Sequence, residues 1–266
     1  MDTNTELQQL LLERIGLDPH RTILFEDLPE VMTAFALHIP FENSDVIGHQ
    51  PSGISKEYLI QKVIKSNRGG LCYHLNRLFY LFLVDCGFNV TQHVGTVWNQ
   101  QTLDKWAPNN GHIITVLHKE NDGATSDFLI DVGFGLFLAL KPIPLGGQEV
   151  TSRTGSYRWN VQQTEKGTHL LEAKNPNDQW RLGYAFSTDI IATEQTINTT
   201  QRLIHEDELE TFNVNHLTCL LLAPEVGQAV LTGDSFTITN PSGEKDKKSV
   251  TPDERLELLK TVYKFK

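Results

Sequence analysis

The chain has 266 residues, of which 39% are hydrophobic and 21% charged, a balance typical of a folded globular protein. Its formal net charge of -10 predicts repulsion from nucleic acids and from anionic membranes, so neither is an expected partner. The first ten residues, MDTNTELQQL, do not resemble a secretory signal, and the apolar run at 78–84 is far too short to span a bilayer. We therefore expect a cytoplasmic protein with no membrane partner.

Four helices are predicted in the first third of the chain, because apolar residues recur there with a period of about 3.6. The first covers residues 7–15 and stops at Gly16, and the second covers 28–39. The third runs over 55–69, and the fourth over 72–87. The fourth is apolar on two sides, which predicts a central, buried helix.

The apolar period then changes to two, which predicts strands. These are expected at 89–98, 112–118, 128–132, 156–163, 168–174 and 179–186. Further along, the pattern predicts a helix at 192–204, strands at 217–222 and 235–239, and a last helix that Thr251 and Glu254 open as a capping box. Residues 242–249, SGEKDKKS, are interpreted as a solvated turn.

The three cysteines, Cys72, Cys86 and Cys219, contain no CxxC pair and are odd in number. This pattern favours neither a disulfide framework nor a zinc site, so no metal is expected.

Cys72 is the candidate nucleophile, because it follows two glycines in RGGLCYHLN and opens the fourth predicted helix. The helix dipole and the unpaired N–H groups of the first turn favour a thiolate over a thiol. Gly69 and Gly70 would let the backbone turn sharply into the helix and let a ligand approach the sulfur. The alternative is a cysteine that only packs, and Cys72 by itself does not decide between them.

His112 and Asp131 are the candidate partners of Cys72. His112 opens the apolar strand HIITVL, and Asp131 lies in FLIDVGFG, a run otherwise suited to a buried strand. A buried carboxylate needs a partner, although the backbone amides of the turn at 133–135 could also supply one. Together the three residues form a Cys-His-Asp set, in which histidine moves a proton and aspartate orients the imidazole. Such a set performs acyl transfer.

These motifs, together with IPFEN at 39–43, resemble the arylamine N-acetyltransferase family over most of the first 145 residues. The resemblance implies an α+β fold with a cysteine-protease-like Cys-His-Asp core. Its parts would be an N-terminal helical bundle at 1–87 with the nucleophilic cysteine, a central β-barrel at 88–187 with the histidine and aspartate, and a C-terminal α/β lid at 188–266.

The activity that the resemblance implies is a ping-pong acetyl transfer used in xenobiotic metabolism. Acetyl-CoA as co-substrate acetylates Cys72, and the thioester passes its acetyl group to an arylamine, an arylhydrazine or an N-hydroxyarylamine. His112 and Asp131 complete the catalytic triad, and no metal or prosthetic group takes part.

Binding residues follow from the same resemblance. Asn110 and Gly111 are similar to the segment whose backbone meets coenzyme A, with an ordinary turn as the alternative. Phe41 and Phe134 resemble aromatic positions near the substrate pocket, with core packing as the alternative. His74 stands where the family usually has glutamate, and we interpret it as structural. The stretch 197–212 matches the family only loosely, which leaves the acceptor preference open.

Three other functions fit the same residues. A thiol hydrolase or transglutaminase uses the same triad in the same chain order and would turn over amides without coenzyme A. A macrolactam-forming acyltransferase would share the fold. A catalytically silent binding relative would show no rapid alkylation of Cys72.

Overall fold

The computed structural model describes residues 4–99, 105–107, 109–121, 123–174, 179–206 and 212–266. The helices are α1 (Glu6–Arg14), α2 (Leu28–His38), α3 (Ser44–Ile47), α4 (Lys56–Leu59), α5 (Cys72–Asp85), α6 (Glu194–His205) and α7 (Pro252–Thr261). The strands are β1 (Phe41–Glu42), β2 (Val90–Val97), β3 (His112–Asn121), β4 (Ala124–Ile130), β5 (Ile143–Pro144), β6 (Val150–Ser152), β7 (Gly155–Thr164), β8 (Gly167–Lys174), β9 (Arg181–Ile191), β10 (Leu217–Leu221), β11 (Gln228–Thr232), β12 (Ser235–Thr239) and β13 (Lys245–Ser249).

The first two predicted helices are confirmed as α1 and α2, but the third is shorter than predicted. Ser55 caps α4 by accepting from the amide of Tyr58, as expected of a serine at this position. After Leu59 the chain widens into a π-helical segment, Ile60–Lys65, and it leaves the helix before Gly69. The prediction of a continuous helix to residue 69 was therefore wrong, since apolar periodicity does not register a change in helix type.

Helix α5 is the centre of the helical part, as its apolar pattern predicted. Tyr73, Phe79 and Phe82 are fully buried in it, and they pack among apolar side chains of α1 and α2. The helix ends before Gly87, whose φ of 84° suits a glycine at a helix end. The amino end of α5 is consequently held inside the molecule, and Cys72 with it.

Eight strands form one antiparallel sheet in the order β5-β4-β3-β2-β9-β8-β7-β6. The sheet curls into a nearly closed, barrel-like form, because Ile143 of edge strand β5 packs with Tyr157 and Trp159 of β7. This agrees with the barrel implied by the family resemblance. The fold as a whole is mixed α and β.

The second sheet has the order β1-β10-β11-β12-β13, with α7 packed against it through Leu259 and Tyr263. Its outer strand β13 occupies part of the stretch 242–249, so the interpretation of that stretch as a turn was wrong. The lysines of β13 are exposed, which is how proteins commonly protect an edge strand from further pairing. The capping box predicted for the last helix is confirmed at Thr251 and Glu254.

The predicted division at residues 87 and 187 stays a prediction. Across the part of the chain that the structure describes, every helix is too short or too polar to cross a membrane.

Candidate active site

Cys72 is the first residue of α5, where the preceding Leu71 provides no side-chain cap. Its sulfur lies 3.5 Å from the carbonyl oxygen of Gly111, the residue before β3. The side chain is only 5% exposed, so the thiol meets other molecules through the cavity that it lines. The structure thus brings the start of a helix against the start of a strand.

His112 connects Cys72 to Asp131. Its Nε2 lies 2.8 Å from Oδ2 of Asp131. The other ring nitrogen, Nδ1, is therefore the one that can exchange a proton with the sulfur of Cys72. All three side chains are at least nine-tenths buried, which keeps water from screening their interaction. The structure brings together the three catalytic residues predicted from the sequence.

Asp131 follows the last residue of β4 rather than lying within a strand, because β4 ends at Ile130. Its Oδ1 accepts from the side chain of Asn76 at 2.8 Å and from the amide of Gly133 at 2.9 Å. The hydroxyl of Tyr184 donates to its Oδ2, also at 2.8 Å. We expected a buried carboxylate to need either a side-chain partner or a backbone amide, and Asp131 has both, His112 and the amide of Gly133.

The charges in this cluster support one another. Burial lowers the pKa of His112, but the Asp131 carboxylate outweighs burial and, with a contribution from Cys72, raises the pKa to about 10. Burial raises the pKa of Asp131, but His112, Asn76 and Gly133 outweigh it and hold the pKa below its ordinary value. The imidazolium is thus the stable form at neutral pH, which places a positive charge beside the sulfur of Cys72.

The other two cysteines lack such an environment. Burial raises the pKa of Cys86 to about 11 and that of Cys219 to about 12. Both therefore stay protonated at neutral pH, even though Cys219 lines the same cavity as Cys72. Position relative to His112 distinguishes Cys72 from its two competitors.

A cavity of about 350 Å³ opens above Cys72 and His112. Phe41 and Phe134 lie on its wall, together with Phe137 and Phe212. Their contact with a substrate stays a prediction. The ring of Phe134 lies 5.1 Å from the imidazole of His112, and the ring of Phe41 lies 5.7 Å from that of Phe212. A flat apolar molecule in this cavity would therefore be surrounded by phenylalanine rings and lie close to the sulfur of Cys72.

The sequence and the fold match known proteins along nearly the whole chain. A family model described as N-acetyltransferase matches residues 25–266. A probable arylamine N-acetyltransferase 2 from Dictyostelium discoideum is 35% identical over 91% of this chain and 86% of its own length.

The chain belongs to the arylamine N-acetyltransferase family. It is therefore one of a family of acetyltransferases.

Two solved members of the family have the same fold. Arylamine N-acetyltransferase C from Bacillus anthracis is 37% identical, with a TM-score of 0.91 and coverage of 99% of this chain and 100% of that one. The arylamine N-acetyltransferase NAT3 from Bacillus cereus is 40% identical, with a TM-score of 0.89 and coverage of 97% and 98%. That enzyme is described as having a unique Cys-His-Glu catalytic triad, whereas the carboxylate beside His112 in this family member is Asp131.

The loop before His112 is held from two sides in this N-acetyltransferase. The amide of Asn110 donates to the hydroxyl of Thr96, and its carbonyl accepts from Thr200 of α6. The Asn110 amide is thus engaged within the protein. Gly111 lines the cavity. The expectation that Asn110 and Gly111 meet coenzyme A stays a prediction.

The two glycines before Cys72 serve packing inside the protein. A side-chain carbon at Gly69 would overlap the carbonyl oxygen of Pro40, and one at Gly70 would lie 2.6 Å from the ring of His74. The structure gives no support to the expectation that they open a path for a ligand. Their absence of side chains instead lets the chain before α5 lie directly against the segment that leads into β1.

His74 is buried and does not line the cavity, consistent with the structural role expected for it. Its ring packs 4.4 Å from that of Tyr73, and both ring nitrogens are buried without a hydrogen-bond partner. Burial, with a contribution from Lys62, lowers the pKa of His74 to about 3. The residue is therefore neutral and is not a second base for Cys72.

Sequence analysis missed the roles of four polar residues. Asn76 and Tyr184 hold Asp131, while Glu42 and Asn43 of the IPFEN motif organise the chain around the site. Asn76 lies one helical turn after Cys72, a spacing visible in the sequence. Tyr184 comes from β9 and had no comparable pattern, because its contact with Asp131 depends on how the sheet curls between β4 and β9.

Asn43 connects the helical part to the second sheet. Its side-chain NH2 group donates to the backbone carbonyls of Phe212 and Asn215. Its side-chain oxygen Oδ1 accepts from the backbone amide of Leu217. Phe212 and Leu217 both line the cavity. One asparagine of the amino-terminal third thus fixes part of the cavity wall supplied by the carboxy-terminal third.

Proposed function

We propose that this N-acetyltransferase moves an acetyl group from acetyl-CoA to arylamines, arylhydrazines or N-hydroxyarylamines through a thioester on Cys72. The single observation that carries the proposal is the alignment of Cys72, His112 and Asp131 at the base of an aromatic-walled cavity. Acyl transfer needs a nucleophile, a proton carrier and a group that orients the carrier, and this alignment supplies all three.

In the first half-reaction, the Cys72 thiolate attacks the acetyl carbonyl carbon of acetyl-CoA. A bond forms between that carbon and the Cys72 sulfur, and the bond to the coenzyme sulfur breaks. The departing thiolate takes the proton from the His112 imidazolium, so coenzyme A leaves as a thiol. Asp131 holds the imidazole in place through Nε2 during the transfer.

In the second half-reaction, the acceptor nitrogen attacks the carbonyl of the thioester. The new carbon–nitrogen bond forms while the bond to the Cys72 sulfur breaks. The proton lost by the nitrogen goes to His112, which is neutral after the first half-reaction. The imidazolium and the thiolate are thereby restored, so the enzyme returns to its starting state without a metal or a prosthetic group.

The direct test is mass spectrometry of the intact protein after brief mixing with acetyl-CoA and no acceptor, followed by peptide mapping. We expect one acetyl group on the Cys72 peptide, and we expect it to disappear when an arylamine is added. The variant Cys72→Ser should stay unmodified, whereas Cys86→Ser should be acetylated like the parent protein because Cys86 does not line the cavity.

Other outcomes would redirect the assignment. An acetyl group on Cys219 would mean that the nucleophile is misassigned. An unmodified protein whose Cys72 still reacts rapidly with iodoacetamide would indicate a different acyl donor or a hydrolase.

A further inference from the structure

The wall of the cavity offers almost nothing to a charged group. Of the eighteen described residues that line it, none is Lys, Arg, Asp or Glu. Apart from the two thiols, Asn99 and His112 are the polar side chains among them. His112 is engaged by Asp131 and is neutral once Cys72 is acetylated, so no cation remains among the described wall residues to pair with an acceptor anion.

The sequence next to Asn99 and Phe212 is likewise poor in basic residues. Residues 100–104 follow Asn99 and residues 207–211 precede Phe212, and both stretches lie outside the described residues. Their sequences, QQTLD and DELET, contain no lysine or arginine and include four acidic residues. Lys105 and Arg202 are exposed and do not line the cavity.

The catalytic residues add to the same effect. In the acetylated enzyme that receives the acceptor, Cys72 is a neutral thioester and His112 is neutral, so the triad carries only the single negative charge of Asp131. A second anion entering the cavity loses its water without gaining an opposite charge, and it also meets this negative charge. The environment therefore disfavours anions at the binding step.

We infer that the acceptor site selects uncharged aryl amines and rejects those with a carboxylate on the ring. The inference rests on the proposed transfer to arylamines and narrows its substrate class. The rings of Phe41, Phe134, Phe137 and Phe212 provide apolar faces for a flat acceptor. A ring carboxylate, which is ionised at neutral pH, would find no lysine or arginine among the described wall residues to pair with.

The test compares 4-aminobenzoate with its methyl ester, which has the same ring and the same amine but no charge. We expect kcat/KM for the ester to exceed that for the acid by about tenfold or more. Burial of an unpaired charge weakens binding by at least this factor. Electronic effects oppose this result, because the ester withdraws more electron density from the amine than the carboxylate does. A preference for the ester is thus attributable to the site.

Acetylation of Cys72 by acetyl-CoA without acceptor is measured on the same sample, so that the two proposals fail separately. If Cys72 is acetylated and both acceptors react equally well, or the acid reacts better, the inference is overturned and the proposed function stands. If Cys72 is not acetylated, both are overturned.

A variant pair tests the cause of the selection. Phe137 lines the cavity, yet its side chain is 43% exposed, so a longer polar side chain can extend towards water there. We expect Phe137→Arg to lower the ester-to-acid ratio of kcat/KM about tenfold by supplying the missing cation, and Phe137→Gln to leave the ratio near that of the parent protein. The yield of acetylated Cys72 shows that each variant is folded. An equal ratio in Phe137→Arg and Phe137→Gln would overturn the inference.

Discussion

Asp131 acts on the chemistry of the site through His112, because Asp131 itself does not line the cavity. Its two oxygens together accept from Asn76, His112, Tyr184 and Gly133. These bonds fix the carboxylate in one orientation, which in turn fixes the imidazole. A buried aspartate with this many donors has little freedom to move, so it keeps the imidazole of His112 in one position.

The variant Asp131→Asn should shift the reactivity of Cys72 to higher pH. The carboxylate raises the pKa of His112 against the opposing effect of burial, so its loss lowers that pKa. The positive charge beside the sulfur is then lost at neutral pH, and we expect alkylation by iodoacetamide to slow about 100-fold there. The rate is followed by mass spectrometry of the Cys72 peptide over a series of pH values.

The matched control for this prediction is Asp127→Asn. Asp127 also pairs with a histidine, His118 at 2.7 Å, but neither of them lines the cavity. Its alkylation profile should follow that of the parent protein. An unshifted profile in Asp131→Asn would remove the aspartate from its assigned role.

At the scale of the element, the approach to α5 is set by two close backbone contacts. The amide of Gly70 donates to the carbonyl of Pro40, and the amide of Glu42 donates to the carbonyl of Gly70. Gly69 lies directly against the same Pro40 carbonyl, so a side chain has no room there. The position of Cys72 thus depends on the segment that leads into β1, more than thirty residues earlier in the chain.

We expect Gly69→Ala to destabilise the protein by about 3 kcal/mol, because the added carbon can be accommodated only by moving backbone. Urea unfolding measures this change. Gly53→Ala is the control, since a side-chain carbon there would meet nothing within 4 Å and should change the free energy of unfolding by less than about 0.5 kcal/mol. Equal stability of the two variants would contradict the packing role of Gly69.

Periodicity predicted most of the elements but missed transitions within them. It identified α1, α2, α5, α6 and α7 and the long strands, whose apolar faces are buried in a regular pattern. It placed Asp131 inside a strand because the apolar run continues past the end of β4. It missed β13, whose residues are all exposed, since a strand stabilised only by pairing with its neighbour has no apolar pattern.

At the scale of the whole molecule, a buried ionic cluster joins three segments beneath the site. Glu42 accepts from Lys62 at 3.0 Å and from Arg68 at 2.8 Å, and Asp45 accepts from the same two cations. Two acids and two bases balance in charge, which allows them to stay ionised in the interior. Burial by itself would raise the pKa of Glu42, but Lys62 and Arg68 lower it to about 2.

The cluster predicts a pH-dependent cost for Glu42→Gln. Because the folded pKa of about 2 lies below the ordinary 4.5, the charge of Glu42 stabilises the fold above pH 4.5, and this contribution is lost as pH falls towards 2. We expect the variant to lose about 3 kcal/mol of unfolding free energy at neutral pH, because Lys62 and Arg68 then share Asp45 as their remaining carboxylate in the cluster. The difference from the parent protein should shrink at about pH 3.

Urea unfolding at the two pH values checks this prediction. Glu13→Gln is the control, because Glu13 is exposed on α1 and its replacement should change stability little at either pH. A cost for Glu42→Gln that does not depend on pH would mean that shape rather than charge holds the cluster together.

Local features of this protein could be predicted from its amino-acid sequence. Helix and strand periods, the capping box at Thr251, and the unusual settings of Cys72, His112 and Asp131 are all readable within short windows, because each depends on neighbours along the chain. The family resemblance rested on the same local motifs. These features were sufficient to predict the type of chemistry before any contact between distant residues was known.

Which distant groups meet became visible in the three-dimensional fold. Tyr184 reaches Asp131 because the eight-stranded sheet curls, Asn43 holds the wall formed by Phe212 and Leu217, and Glu42 pairs with Lys62 and Arg68. Such contacts follow from packing between elements far apart in the chain, which no local pattern encodes. The absence of Lys, Arg, Asp and Glu from the described cavity wall, and with it the inferred choice of acceptor, likewise depends on which faces the fold turns inward.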